Sequence, residues 1–214
     1  NANKSAHYRS NVLGQNVAVF DPYHICDETL DKFRVSFNPL AKLDPDDPEI
    51  VEKATAIADS IIIQTKDAKD PHFDDNCRFL LRAIILFCLI HPRQEEDAPR
   101  TPTFFDVLHY LNVGVIAPDA IEDIMDVQNK EDIPALLKKE PKSFEFLIKT
   151  FQGITAFQGA IQSVGFAIAD MGDRERGSVL STCRRQIDWL LSKAMISTLT
   201  DSNFHPEDLR DPDK

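Results

Sequence analysis

A chain of 214 residues, 43% of them hydrophobic, is long enough to bury a core as one domain or as one domain with further pieces attached. Its 24 Lys and Arg against 35 Asp and Glu give a formal charge of −11, which repels polyphosphate, favours basic partners and speaks against direct non-specific DNA binding. The longest apolar run, residues 79–90, is interrupted by Arg82 and falls well short of the roughly 20 residues that a bilayer crossing requires.

Other chemistries are excluded by what the motifs lack. A phosphate-cradling loop needs a glycine-rich backbone ending in Gly-Lys-Ser/Thr, and the chain contains no Gly-Lys pair, so by itself it is not expected to hydrolyse nucleotide. Cys26, Cys77, Cys88 and Cys183 are widely spaced and form no Cys-x-x-Cys pair, which points to reduced thiols, with Cys88 in the core. The pairs His24/Cys26 and His72/Cys77 each lack the second ligand pair of a closed tetrahedral site, so no metal is expected. No Ser/His/Asp or Cys/His arrangement stands at a recognisable spacing, and His109 beside Tyr110 reads as a surface or half-buried residue. The first residues lack the charged and then apolar regions of a secretory signal, so the chain is expected in the cytoplasm.

In chain order, residues 5–13 read as the end of a helix closed by Gly14, and residues 16–20 as a buried strand stopped by Asp21 and Pro22. Phe33, Val35 and Phe37 alternate, which predicts a second short strand before the turn at Asn38 and Pro39. An acidic turn at 44–48 then introduces a helix over 49–64, with Ile50, Ala54, Ile57 and Ile61 on one face. Asp70 is a suitable N-cap, with Pro71 at the first helical position, for a helix that His91 and Pro92 end near Ile90. Apolar residues surround almost its whole circumference, marking it as the central helix. Arg82 is the exception and should snorkel outward or pair with a carboxylate.

Residues 94–102 read as a charged, proline-containing loop, after which Thr103 caps a short helix through Leu111 with Asp106 in its first turn. Pro118 starts another helix, on which Asp119, Glu122, Asp123 and Asp126 fall at i, i+3, i+4 and i+7. Four carboxylates on one face repel one another, so the stripe suits a basic partner; the plainer reading is a solvated face of an acidic protein. Ser143 opens the longest helical region, with Phe151, Ile154, Phe157, Ile161, Val164 and Ile168 down one side as core. Gly153, Gly159 and Gly165 inside it mark close approach, a break or a bend. Residues 171–177 form a charged connection, and Ser178 is placed to cap a helix from Val179 to about Leu191. Arg174, Arg176, Arg184 and Arg185 make the densest basic cluster, a candidate contact for nucleic acid or a neighbouring subunit, or else internal ion pairs with Asp173, Glu175 or Asp188.

The run Glu175, Arg176, Gly177, Ser178, Val179, Leu180, Ser181, Thr182, followed by Gln186, Ile187, Asp188, Trp189 and Leu190, resembles a segment of the coupling-protein ATPases of bacterial type IV secretion and conjugation systems. The 16–20 segment ending at Asp21 and Pro22, and the run Val35, Ser36, Phe37, Asn38, Pro39, Leu40, agree with it in position. Residues 203–209 resemble the segment that returns to the motor in those proteins. The chain departs from the family after Asp21 and Pro22, where many relatives continue with Lys-Gly-Glu and this chain has Tyr23, His24 and Ile25. The likeness covers nearly the whole chain. It implies a mainly α fold: a helical bundle inserted into a RecA-like α/β motor, with short remnant strands of that motor at the N-terminus. The implied divisions are a motor remnant over 1–43, an all-helical substrate-recognition domain over 44–200 and a return segment over 201–214.

The resemblance further implies that the helical domain faces the cytoplasm, with the parent at the cytoplasmic face of the inner membrane. It implies ATP and magnesium in hexameric full-length relatives but no cofactor in this chain. Partners implied are secreted effector proteins or their C-terminal signal domains, or relaxase-bound DNA. The reading favoured on charge sign is recruitment of effectors through basic or amphipathic signals; the alternative is a DNA-contacting or DNA-gating domain.

Overall fold

In the computed structural model, residues 2–63, 72–91, 94–95, 98–99, 101–112, 114, 143–204 and 206 are described. Contacts divide the chain into two compact units, one of 1–42, 103–105 and 189–214, the other of 43–102 and 106–188. The architecture is mainly helical among the described residues.

The first unit opens with α1 (Ala2–Asn11), which ends where Gly14 takes a φ of +63°, a left-handed turn that glycine adopts without strain. A small core of Ala6, Val19 and Leu30 joins α1 to a 3-10 turn over Glu28–Phe33. Polar contacts reinforce it: Asp27 accepts from the Thr29 amide at 2.8 Å, and Asn3 accepts from the Asp27 amide at 3.1 Å.

The two expected strands are not seen. Among the described residues of this region, pairing is reduced to an isolated parallel bridge between Val19 and Arg34. The amide of Val19 donates to Phe33 at 2.8 Å, and that of Val35 donates to Val19 at 3.1 Å. Three things stop the bridge from lengthening. The chain turns at Asp21, the 3-10 turn runs up to Phe33, and residues 36–38 are taken by another segment. The Phe37 amide donates to Thr198, that of Ser36 to the Asn203 side chain at 2.8 Å, and that of Asn38 to Ser202 at 2.8 Å. Nor is 16–20 a buried element, since Val19 alone of its five residues is buried and Phe20 is exposed. Also in this unit, α8 (Lys193–Thr200) buries Met195 and Leu199.

The second unit is organised by α3 (His72–Ile90), which lies against α2 (Ile50–Ile61), α6 (Ala160–Asp170) and α7 (Asp173–Ile187). Leu80, Leu81, Ala83, Ile84, Ile85, Leu86, Phe87 and Cys88 are all buried on it, as a helix surrounded by neighbours requires. The proposed cap at Asp70 and Pro71 lies outside the described residues. The acidic turn before α2 satisfies itself, with Asp44 accepting from the Asp46 amide at 2.9 Å and Asp47 from that of Glu49 at 2.8 Å. Helix α2 then turns Ile50, Ala54, Ala58 and Ile61 inward.

Residues 94–95 and 98–99 form a minimal antiparallel pair, β1 and β2, where the sequence reads as a loop. Helix α4 (Phe104–Asn112) begins at Thr103, whose hydroxyl accepts from the Phe105 amide at 3.2 Å.

The long helical region from Ser143 is two helices, α5 (Ser143–Gly153) and α6, packed on each other. Phe157, Gln158 and Gly159 all have positive φ, of 54°, 55° and 79°, and this left-handed corner reverses the chain. Gly165 is the point of closest approach. A Cβ there would fall 2.8 Å from the Gln152 nitrogen and 2.9 Å from Phe151 Cβ. Phe151, fully buried, sits edge-on to Phe87 at 5.4 Å between centroids. Cys77, on α3, donates to the Val179 carbonyl of α7 at 3.3 Å. The Cys183 thiol's own hydrogen bond to Cys77, together with burial, raises it well above its ordinary pKa.

Candidate partner-binding surfaces

The acidic stripe of Asp119, Glu122, Asp123 and Asp126 lies outside the described residues. The four arginines all fall on α7, and the helix begins earlier than the expected connection allows. Asp173 and Glu175 in its first turn suit the helix dipole. Ser178, read as a cap, is instead inside the helix, donating to the Arg174 carbonyl at 2.9 Å.

Arg174, Arg184 and Arg185 are exposed and Arg176 is half-buried, and two of the four have partners within the unit. Arg176 pairs with Asp173, and Arg184 donates through Nε and Nη2 to the Leu111 carbonyl at 3.3 and 3.0 Å. Glu175 is taken by His72 at 3.0 Å rather than by an arginine. Arg174 and Arg185 are exposed on a common face about three turns apart. Two of the four guanidinium groups are therefore engaged within the unit.

Asp21 has a structural role. It is buried, and its carboxylate accepts from the amides of Ile25 at 3.0 Å and Cys26 at 2.9 Å and faces Arg34 at 3.3 Å. Burial by itself would raise its pKa, but the two amides and the guanidinium outweigh it and hold the carboxyl below its ordinary value. Burial and the Asp21 charge together push the Cys26 thiol up. Arg34 is further tied to Asp31 and to the Cys26 carbonyl at 3.0 Å, so the acid at the family position serves to close the 21–26 loop.

A polar ladder on α3 went unremarked in the sequence apart from Arg82. Asp74, Arg78 and Arg82 follow one another at i, i+4 and i+8 on a helix that is apolar from Phe79 onward except for Arg82. Arg78 contacts Asp75 at 2.7 Å, Asp59 at 3.5 Å and the Ile62 carbonyl at 3.1 Å. Arg82 neither snorkels free nor forms an ion pair among the described residues; its guanidinium carbon stands 5.3 Å from the centre of the Phe79 ring. The repeat of charged residues every fourth position was the signal available in the sequence.

Among the described residues no group of three metal-ligating side chains converges, and no helix is long and apolar enough to cross a membrane. His109 is half-buried, edge-on to Tyr110 at 5.5 Å.

Residues 1–213 match the family described as type IV secretory system conjugative DNA transfer. The chain belongs to this family of coupling proteins. No curated protein and no solved structure matches it. The helices on α3 are thus part of a coupling protein, whose family implies secretion substrates or DNA-transfer partners.

Proposed function

We propose that the helical part of this coupling protein recruits protein substrates for translocation by binding their secretion signals. The observation that carries the reading is the fate of the basic cluster. In a chain of net charge −11, Arg176 and Arg184 are committed to Asp173 and to the Leu111 carbonyl, so little continuous positive surface is left for a phosphate backbone. A polypeptide signal with basic or amphipathic character suits this charge balance better. Nucleotide hydrolysis is no part of the role proposed for these residues, which lack a Gly-Lys pair.

The second reading, a DNA-contacting or DNA-gating element, is favoured by the family's description as conjugative DNA transfer and by the exposure of Arg174 and Arg185. Replacing Asp119, Glu122, Asp123 and Asp126 with Asn or Gln tests the first. Weaker binding of a basic amphipathic signal peptide, at an unchanged melting temperature, is the expected result. Unchanged affinity removes that stripe from the interface.

A further inference from the structure

We propose that Arg82 and Phe79 form a binding spot for a carboxylate with an apolar neighbour on a partner polypeptide; the proposal rests on the recruiting role above and specifies one of its contacts. The argument begins with the ladder on α3. Its middle member is saturated, because Arg78 engages Asp75, Asp59 and the Ile62 carbonyl, and so takes up the carboxylates of that neighbourhood. One rung further, Arg82 has no ion pair, and its Nε is buried with no acceptor among the described residues.

Asp74, at the other end, has a buried Oδ2 without a donor among the described residues, but it stands two turns away, roughly 12 Å along the axis, too far to serve Arg82. Burial draws the pKa of Arg82 down and the charge of Asp59 partly restores it, yet a guanidinium stays charged near neutrality. A half-buried cation short of acceptors gains most from an anion that can take two parallel N–H bonds, and a carboxylate fits that planar fork.

Phe79 supplies the second half of the recognition. Its ring is 49% exposed although it lies beside the guanidinium, so an apolar side chain next to the incoming carboxylate has a surface to cover. Nucleic acid is the poorer fit. Arg82, with the charge of Asp59 acting on it and in a chain of −11, gives a phosphate backbone one contact where tight binding needs several.

The test follows the Arg82 Nε–H resonance in the 15N-labelled chain, assigned by its loss in Arg82→Gln. The probes are a short capped peptide centred on Leu-Glu-Leu, its Leu-Gln-Leu counterpart and a single-stranded oligothymidylate. The expected result is a shift with the Glu peptide, an affinity about tenfold lower for the Gln peptide, and a similar loss in Phe79→Ala and in Arg82→Lys, which keeps the charge without the fork. Circular-dichroism melting confirms that each variant folds, and the wild-type resonance reports even if one does not. No shift with the Glu peptide, equal binding of the Gln peptide, or a stronger response to oligothymidylate overturns the proposal. A Glu peptide that binds wild type and Arg82→Gln equally sinks this spot and leaves the recruiting role standing; a basic amphipathic signal peptide that binds neither sinks the role itself.

Discussion

Around α3, cohesion comes from side chains: Leu80, Leu81, Ile84, Ile85, Phe151 and Ile161 are all fully buried, and α2, α6 and α7 pack on the same helix. Around Val19, the apolar core is Ala6, Val19 and Leu30, and most of the ordering is polar, with Asp21 closing its loop and Asn203 and Ser202 holding residues 36–38. The first kind of assembly loses stability when volume is removed. The second loses it when a hydrogen-bonding group is removed or protonated, and it opens locally at lower cost.

The contrast can be broken most severely at Phe151. Its replacement by Ala should cost about 3–5 kcal/mol in the helical unit, read as a fall in the denaturation midpoint, because a fully buried ring leaves a cavity. A loss below about 1 kcal/mol would mean that α5 and α6 close over the gap. Gly165→Ala should cost about 1–3 kcal/mol by forcing a Cβ into the backbone of Gln152 and Phe151. Gly177→Ala gives the opposite sign: no atom lies within 4 Å of the added Cβ and the residue is inside α7, so a gain of about 0.5–1 kcal/mol is expected.

The smallest expected effect sharpens the other side of the comparison. The folded-state pKa of Asp21 lies below its ordinary value of 3.8, so its stabilising contribution is present above that value and is lost as pH falls through the folded pKa. Acid should therefore loosen the 21–26 loop, seen as loss of the Ile25 and Cys26 amide shifts while the α3 core persists. Asp21→Asn should abolish this pH dependence. If the core resonances vanish at the same pH, the two regions are one cooperative block.

The central helix was legible because its stretch from Phe79 to Ile90 is apolar around almost the whole circumference, interrupted by Arg82, and such a helix has few other homes. Gly165 was legible too, since a glycine within a helical pattern needs a packing reason. The strands were misread because alternation at Phe33, Val35 and Phe37 describes a face, while strand formation depends on partners that 36–38 finds instead in 198–203. The start of α7 was placed late because Gly172 and Gly177 look like punctuation, although Gly177 sits unobstructed inside the helix. The arginines are close in sequence, but Arg176 pairs with Asp173 and Arg184 donates to the Leu111 carbonyl, partners that composition does not reveal.

The most direct measurement is fluorescence anisotropy of this chain against a labelled duplex DNA and a labelled basic amphipathic peptide, at low and at moderate salt. Saturable peptide binding with little or no duplex binding at moderate salt is the predicted result. Duplex binding tighter than peptide binding, falling steeply as salt rises and lost in the Arg174→Ala/Arg185→Ala double variant, would contradict it.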